Sequence, residues 1–284
     1  MTLREEVAEH LFGGSSDLIS MRQRLGVTPG GLEGGVLIIH DVPLLDVPVT
    51  PLSYQTGYAP RGDDKWLFRI ASAVGRICGY AGERNGAIVQ DVFPVREDAD
   101  LPKNSSSQVT FGFHTENAHH PHPPLILGLL CLRSDRRGDC TTFVGDCEMA
   151  FEGMSPAGQS LLGSRTFHTA PGKSFMAGTA RMHPIRAILN GEPLFQFNVH
   201  NTTTDNAAAQ EAFVEFVSRL SRSAARVRLV PGDLVLLSNY RFAHSRGPFE
   251  AGFDGGDRWL RRFYVLPASV GSTHPEYSFA ALLN

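Results

Sequence analysis

His114-Thr115-Glu116 and, far downstream, His244 are the residues of this sequence best suited to hold a metal. Two imidazoles and one carboxylate can occupy one face of an octahedral ion and leave three positions open. That arrangement suits Fe(II) working with a chelating co-substrate and O2. Residues two apart on a strand point to the same side, so His114 and Glu116 can reach one ion while Thr115 turns away. The preceding run 109–113, with Val, Thr and two Phe, favours a strand there. Arg258 trails the second His and offers a planar guanidinium of the kind that clamps a dicarboxylate such as 2-oxoglutarate. A His-x-Glu pair alone is also what an exposed strand end displays; His244 and Arg258 give it chemical meaning.

Other clusters carry less. His119-His120-Pro121-His122-Pro123-Pro124 invites a second metal site. Its prolines impose extended geometry, however, and no carboxylate or Cys stands beside the rings, so the stretch reads as a loop near the mouth of the site. Asn117 and His119 are placed to touch a substrate. His168, His183 and His200 are isolated and read as satisfied strand or loop residues. Arg133, Arg136 and Arg137 are broken by Asp135 and Asp139 and read as a solvated turn.

The 284 residues carry a net charge of −3 with both signs scattered, which argues against a nucleic-acid or acidic-membrane partner. The apolar fraction of 42% is ordinary for a globular enzyme. The N-terminus is charged from its first residues, unlike a signal peptide, and the longest apolar run, Leu125 to Leu132, is too short to span a bilayer. Cys78, Cys131, Cys140 and Cys147 form no CxxC and read as reduced thiols. A cytoplasmic protein is expected.

The elements that must position the candidates change character along the chain. Leu3, Val7, Leu11, Leu18, Met21 and Leu25 recur at helical spacing, and Asp63-Asp64 offers an N-cap for a helix over about 65–81 with Leu67, Ile70, Val74 and Ile77 on one face. From about residue 87 short β-type runs dominate: 87–93, 109–113, 126–132, 141–144, 164–168, 185–189, 194–199, 233–238 and 261–266. One late helix is expected over about 206–224. The pattern predicts a mainly β protein with flanking helices and a double-stranded β-helix (jelly-roll) core. A single domain over 1–284 is expected, with a helical part over about 1–85 and the core over about 86–270.

Phe113-His-Thr-Glu-Asn117, Gly128-Leu-Leu-Cys-Leu-Arg133, His244-Ser-Arg-Gly-Pro-Phe249 and Asp257-Arg-Trp-Leu-Arg-Arg262 together resemble the clavaminate-synthase-like branch of the iron(II)/2-oxoglutarate-dependent oxygenases. That branch lies within the superfamily of taurine dioxygenase and includes hydroxylases of free asparagine and arginine. The resemblance implies that His114, Glu116 and His244 ligate iron and that Arg258 binds the distal carboxylate of 2-oxoglutarate, assisted by Thr142 or its neighbour Thr141. It implies that Arg262 holds the α-carboxylate of an amino-acid substrate. Arg262 lies on the same strand face as Arg258. Asn117 and Asn198 are further candidate contacts, and Gln90 and Asn104 are candidates for the α-amino group.

Related halogenases leave the carboxylate position vacant for chloride. With Glu116 in place, the resemblance implies hydroxylation of an unactivated C–H bond with O2 consumed and succinate and CO2 produced, desaturation or ring closure being variants. The substrate would be a free amino acid or a close derivative, in specialised metabolism. Phe195-Gln196-Phe197-Asn198 offers amides where enzymes acting on basic amino acids place carboxylates, which favours a neutral polar substrate. Asp205, in a lid expected over 201–209, keeps a cationic one open. Two readings from other classes compete: a cupin-like metal binder, which has no need of Arg258, and a zinc hydrolase, for which no general base stands out. Oligomeric state is not legible.

Overall fold

Side-chain alternation along two long strands sets the architecture. The computed structural model describes residues 35–54, 60–176, 178–189, 191–266 and 277–279. The helix expected from Leu3 to Leu25 lies outside the described residues. In chain order, β1 (Val36–Ile39) precedes helix α1 (Asp64–Val74), β2 (Arg76–Tyr80) and β3 (Val89–Val92). Next come β4 (Phe111–His114), β5 (Ile126–Arg133) and β6 (Thr142–Asp146), then helices α2 (Cys147–Glu152) and α3 (Pro156–Leu162). β7 (Phe167–Thr169), β8 (Arg181–His183), β9 (Arg186–Leu189), β10 (Glu192–Phe195) and β11 (Thr202–Thr203) build two small sheets. Helix α4 (Ala207–Ser223) returns the chain to β12 (Ala225–Val227), β13 (Leu234–Ser238), β14 (Phe242–Arg246), β15 (Trp259–Leu266) and β16 (Tyr277–Phe279).

The major sheet runs β1-β13-β5-β15-β2-β16 with β3 also paired to β15, and the minor sheet runs β12-β6-β14-β4. Every pairing is antiparallel. Leu127, Leu129 and Cys131 of β5, with Val235 and Leu237 of β13 and Leu260 and Tyr264 of β15, face Val144 of the minor sheet between the layers. The alternate residues Ile126, Leu130, Leu132, Leu234, Leu236, Phe263 and Val265 turn outward onto Leu67, Ile70 and Ala71 of α1. On the far side of the minor sheet, Phe113 and Ala243 pack on Phe151, Leu162, Phe213, Phe216 and Leu220 of the helices. The result is a jelly roll with a helical layer outside each sheet, and each buried large apolar side chain contributes roughly 1.5–3 kcal/mol.

Arg261 belongs to the outward set and would be a liability there alone. It reaches Asp64 at the start of α1 at 2.6 Å and Asp91 of β3 at 3.2 Å, which fixes the helix against the sheet.

Two expectations need correction. The helix expected over 65–81 ends at Val74, and Ile77 is buried from strand β2 instead. Gly75 marks the break: a Cβ there would lie 2.5 Å from the Leu266 carbonyl oxygen, so only glycine lets β2 turn in beside β15. Asp63 precedes the helix but makes no capping bond; its carboxylate is held by Arg61 at 2.8 Å. Residues 201–209, the expected lid, comprise β11 and the first turn of α4, capped by Asn206 accepting from Ala209 N–H at 3.1 Å.

Candidate metal and substrate site

His114, the last residue of β4, and His244, in the middle of β14, are direct partners across the β4–β14 pair. Residues opposite one another in an antiparallel pair project from the same face. Their ring centroids are 4.2 Å apart, on the interior side of the minor sheet. Thr115 continues the strand-like path, its N–H donating to Phe197 O at 3.0 Å. Glu116 therefore returns to the interior, with Oε1 3.7 Å from His114 Nε2 and 3.5 Å from His244 Nε2. The three ligand atoms lie within 4.8 Å of one another, and no other such trio of His, Cys, Asp or Glu exists among the described residues.

The donor set fits a divalent ion. His114 Nδ1 lies 2.9 Å from Gly112 O, and a carbonyl can only accept, so the Nδ1–H donates. In the neutral ring this leaves a lone pair on Nε2, aimed at the Glu116 carboxylate. Burial pushes the His244 imidazolium down to about 4, so the His244 ring is neutral near pH 7. Two imidazole nitrogens and a carboxylate oxygen thus converge on one buried point, a donor set that could hold a cation.

Glu116 is held from behind. Burial would raise its carboxyl pKa, but Arg262 holds it well below the usual range. Arg262 Nη1 donates to both carboxylate oxygens at 3.3 and 3.1 Å, and Tyr264 Oη donates to Oε2 at 3.1 Å. Arg262 Nη2 donates to Glu83 Oε1 at 2.8 Å and also to Gln90 Oε1, its cross-strand neighbour on β3. Asn239 secures the backbone: its Oδ1 accepts from Glu116 N–H at 2.7 Å and its Nδ2 donates to Glu116 O at 3.1 Å.

Arg258 is 7% exposed and has no carboxylate partner among the described residues. It borders Phe249, and Arg246 is close enough that burial together with the Arg258 charge lowers the Arg246 pKa to about 10. Two buried guanidinium groups without a carboxylate are the surroundings an anion requires. Thr142 starts β6 directly opposite Arg246, two residues along β14 from His244. Thr141 donates its hydroxyl to Asp139 O at 3.2 Å.

A cavity of about 640 Å³ opens beside the triad, lined among others by Tyr54, Glu83, Arg84, Asn104, Asn198 and Phe175. Of the expected substrate contacts, Arg262, Asn117, Asn104 and Asn198 reach it, and His119 does too. Gln90 does not; it is buried behind Arg262. Gln196 is consumed structurally, donating to Ala118 O and His120 O at 3.0 Å each, so Asn198 alone of that amide pair faces the cavity. Asp205 is exposed and lines none of it. Sequence reasoning missed Glu83, whose Oε2 is buried without a partner, and Arg84; the Asn85-Gly86 turn signal beside them was the available pointer.

The chain is similar to known proteins over most of its length. The profile described as "Taurine catabolism dioxygenase TauD, TfdA family" matches residues 33–264. An L-asparagine oxygenase of Streptomyces coelicolor is 30% identical over 237 residues, covering 82% of this chain and 71% of its own. Clavaminate synthase 2 of Streptomyces clavuligerus is 28% identical, covering 83% and 75%. The structure of asparagine oxygenase with Fe(II), 2S,3S-3-hydroxyasparagine and succinate superposes with a TM-score of 0.78 at 30% identity, over 88% of this chain and 78% of that one.

Proposed function

The chain belongs to the TauD, TfdA family of dioxygenases, and we propose that within it the protein hydroxylates an unactivated C–H bond of a free amino acid or close derivative. The observation that carries this reading is the convergence of His114, Glu116 and His244 on one buried point. Iron(II) held there, with 2-oxoglutarate and O2, supplies the oxidising power for C–H cleavage and yields succinate and CO2.

The chain's own residues set the conditions. His114, Glu116 and His244 would hold the ion. Arg262 and Tyr264 occupy Glu116 Oε2, which keeps Oε1 turned to the imidazoles. Arg258, with Thr142 beside Arg246, receives the distal carboxylate of 2-oxoglutarate. Val144, Leu129 and Leu260 exclude water from the interior. In the cavity, Glu83 Oε2 offers an acceptor for the α-ammonium group, with Asn104 on the same lining, and the unpartnered Nε of Arg262 and Nδ2 of Asn117 offer donors to the α-carboxylate. Gln90 acts through Arg262, and Asn198 faces the side chain. Fixing one C–H bond beside the metal is worth several kcal/mol of barrier.

Relatives of this chain are an L-asparagine oxygenase and an L-lysine 3-hydroxylase of Catenulispora acidiphila, the latter 27% identical. Their names support a small amino-acid substrate. No helix among the described residues is long and apolar enough to cross a membrane, and all four cysteines are free and buried. The free thiols support work in the cytoplasm.

An anaerobic visible titration with Fe(II) and then 2-oxoglutarate tests the proposal. A metal-to-ligand charge-transfer band that His114→Ala abolishes, and that one amino acid shifts, is the expected result. Folded, metal-loaded protein with no band overturns it.

A further inference from the structure

We propose that Arg84 is the cavity's receptor for a substrate carboxylate, an inference that rests on the amino-acid hydroxylase reading above. Its guanidinium carbon sits 3.7 Å from the centre of the Tyr54 ring, which is itself braced on Phe93 with centroids 4.8 Å apart. One face is covered and the donor edge stays open. Among the described residues the guanidinium has no hydrogen-bond or ion-pair partner, and its Nε is buried. Tyr54 Oη is buried without a partner too.

The other charges of the cavity are accounted for. Arg262 is matched by Glu83 and Glu116, and Lys103 by Asp98. Lys173 is exposed at the rim. Arg84 is the half-buried cation left over, and its planar fork matches a carboxylate in two parallel hydrogen bonds.

The backbone commits it to this position. Arg84, Asn85 and Gly86 have φ of 44°, 56° and 75°, three successive residues in the left-handed region. For a residue like Arg that conformation is strained. The turn is tied by Gly86 N–H to Glu83 O at 2.9 Å and by Arg84 N–H to Ser174 O at 3.3 Å. The strained turn thereby presents Glu83 and Arg84, of opposite charge, to one cavity.

Two carboxylates could answer: the α-carboxylate or one on the substrate's side chain. Arg262 Nε and Asn117 Nδ2 already stand beside the metal triad as donors for the first. The uncompensated charge of Arg84 therefore favours the second, and with it an acidic amino acid or an amino acid extended by an anionic group.

Binding calorimetry under anaerobic conditions, on protein loaded with Fe(II) and 2-oxoglutarate, tests this. The probes are L-aspartate, L-glutamate, L-2-aminoadipate and the corresponding amides. Arg84→Asn removes the charge while keeping a residue that tolerates the left-handed turn, and Arg84→Lys keeps the charge without the fork. The expected result is that one acid binds wild type about tenfold or more tighter than its amide, that Arg84→Asn erases the difference and that Arg84→Lys retains part of it. Equal weakening of acid and amide by Arg84→Asn would support the receptor and assign it the α-carboxylate. Affinities within twofold of wild type in Arg84→Asn, or no binding of any probe to wild type, would overturn the proposal. The 2-oxoglutarate charge-transfer band in the same samples reports separately on the oxygenase reading.

Discussion

Asn239 closes a ring on the peptide of Glu116: one carboxamide accepts from that residue's N–H at 2.7 Å and donates to its carbonyl at 3.1 Å. The same Nδ2 reaches Pro124 O at 2.9 Å, so the loop carrying the carboxylate ligand is fastened to the end of β13. Glu116 sits past the end of β4, where no ladder holds it, and Asn117 next to it has a φ of 53°. Asn239→Ala removes all three bonds and leaves buried backbone groups unpaired. Metal affinity is expected to fall roughly 10–100-fold, as for other outer-shell partners of ligands. Stability should fall by about 2–3 kcal/mol. Fe(II) titration and denaturant unfolding of the same variant measure the two separately. Unchanged metal affinity would show that Glu116 finds its place without the clamp.

Arg258 yields a prediction of opposite signs. A buried guanidinium with no carboxylate near it costs stability in the ligand-free protein. Arg258→Gln should therefore leave the thermal midpoint without 2-oxoglutarate equal to wild type or higher, while abolishing the rise that 2-oxoglutarate produces in wild type. Affinity for 2-oxoglutarate should fall by about 2–4 kcal/mol, roughly 30- to 1000-fold. Fe(II) binding should be unaffected, since Arg258 touches none of the three ligands. A lower ligand-free midpoint would mean that the residue is structural.

Much of this was legible in the sequence for a physical reason. Strand alternation is a strict rule, so His114 with Glu116 and Leu260 with Arg262 and Tyr264 could be placed on one side from spacing alone. The same rule puts Arg261 on the opposite side, where it meets Asp64 of α1. What stayed hidden depends on contacts between distant segments. Glu83 gains its role only from Arg262, far along the chain, and nothing in its local sequence distinguishes it from other acidic residues. Helix α1 was read too long because Ile77 happens to fall at helical spacing; Gly75 was the stop signal. Helix α3 announces itself by Ser155-Pro156, a cap followed by proline at the first turn, but is too short for periodicity to register.

Gly128 and Phe263 are cross-strand partners on the outward face of the β5–β15 pair. A Cβ built on Gly128 would lie 2.2 Å from the Phe263 ring, which is fully buried against the α1 layer. The ring has no room to yield, so Gly128→Ala should destabilise by about 1–3 kcal/mol. Adding Phe263→Leu frees the space, and the double variant should be less destabilised than the sum of the two single changes, because the residues touch. Additive losses in urea unfolding would show that β5 relieves the clash by moving instead.

The last prediction concerns acid. His183 is 1% exposed, and its Nδ1–H donates to Pro184 O at 2.8 Å. Its Nε2 therefore accepts from the Thr169 hydroxyl at 2.9 Å, which directs Thr202 to donate to Thr169 at 2.8 Å. Thr202 in turn accepts from the Asn198 N–H at 2.9 Å, so the relay ends at a cavity residue. Burial, with Arg181 adding to it, pushes the His183 imidazolium down to about 4, against about 6.5 in the unfolded chain. Between these values the unfolded state binds the proton and the folded state does not, so stability is fully present above about pH 6.5 and is lost as pH falls towards 4. The full shift corresponds to roughly 3 kcal/mol. Denaturant unfolding across that window should show a loss that His183→Asn, which cannot take up a proton, makes shallower. An identical slope in the variant would place the acid sensitivity elsewhere and leave His183 without part in it.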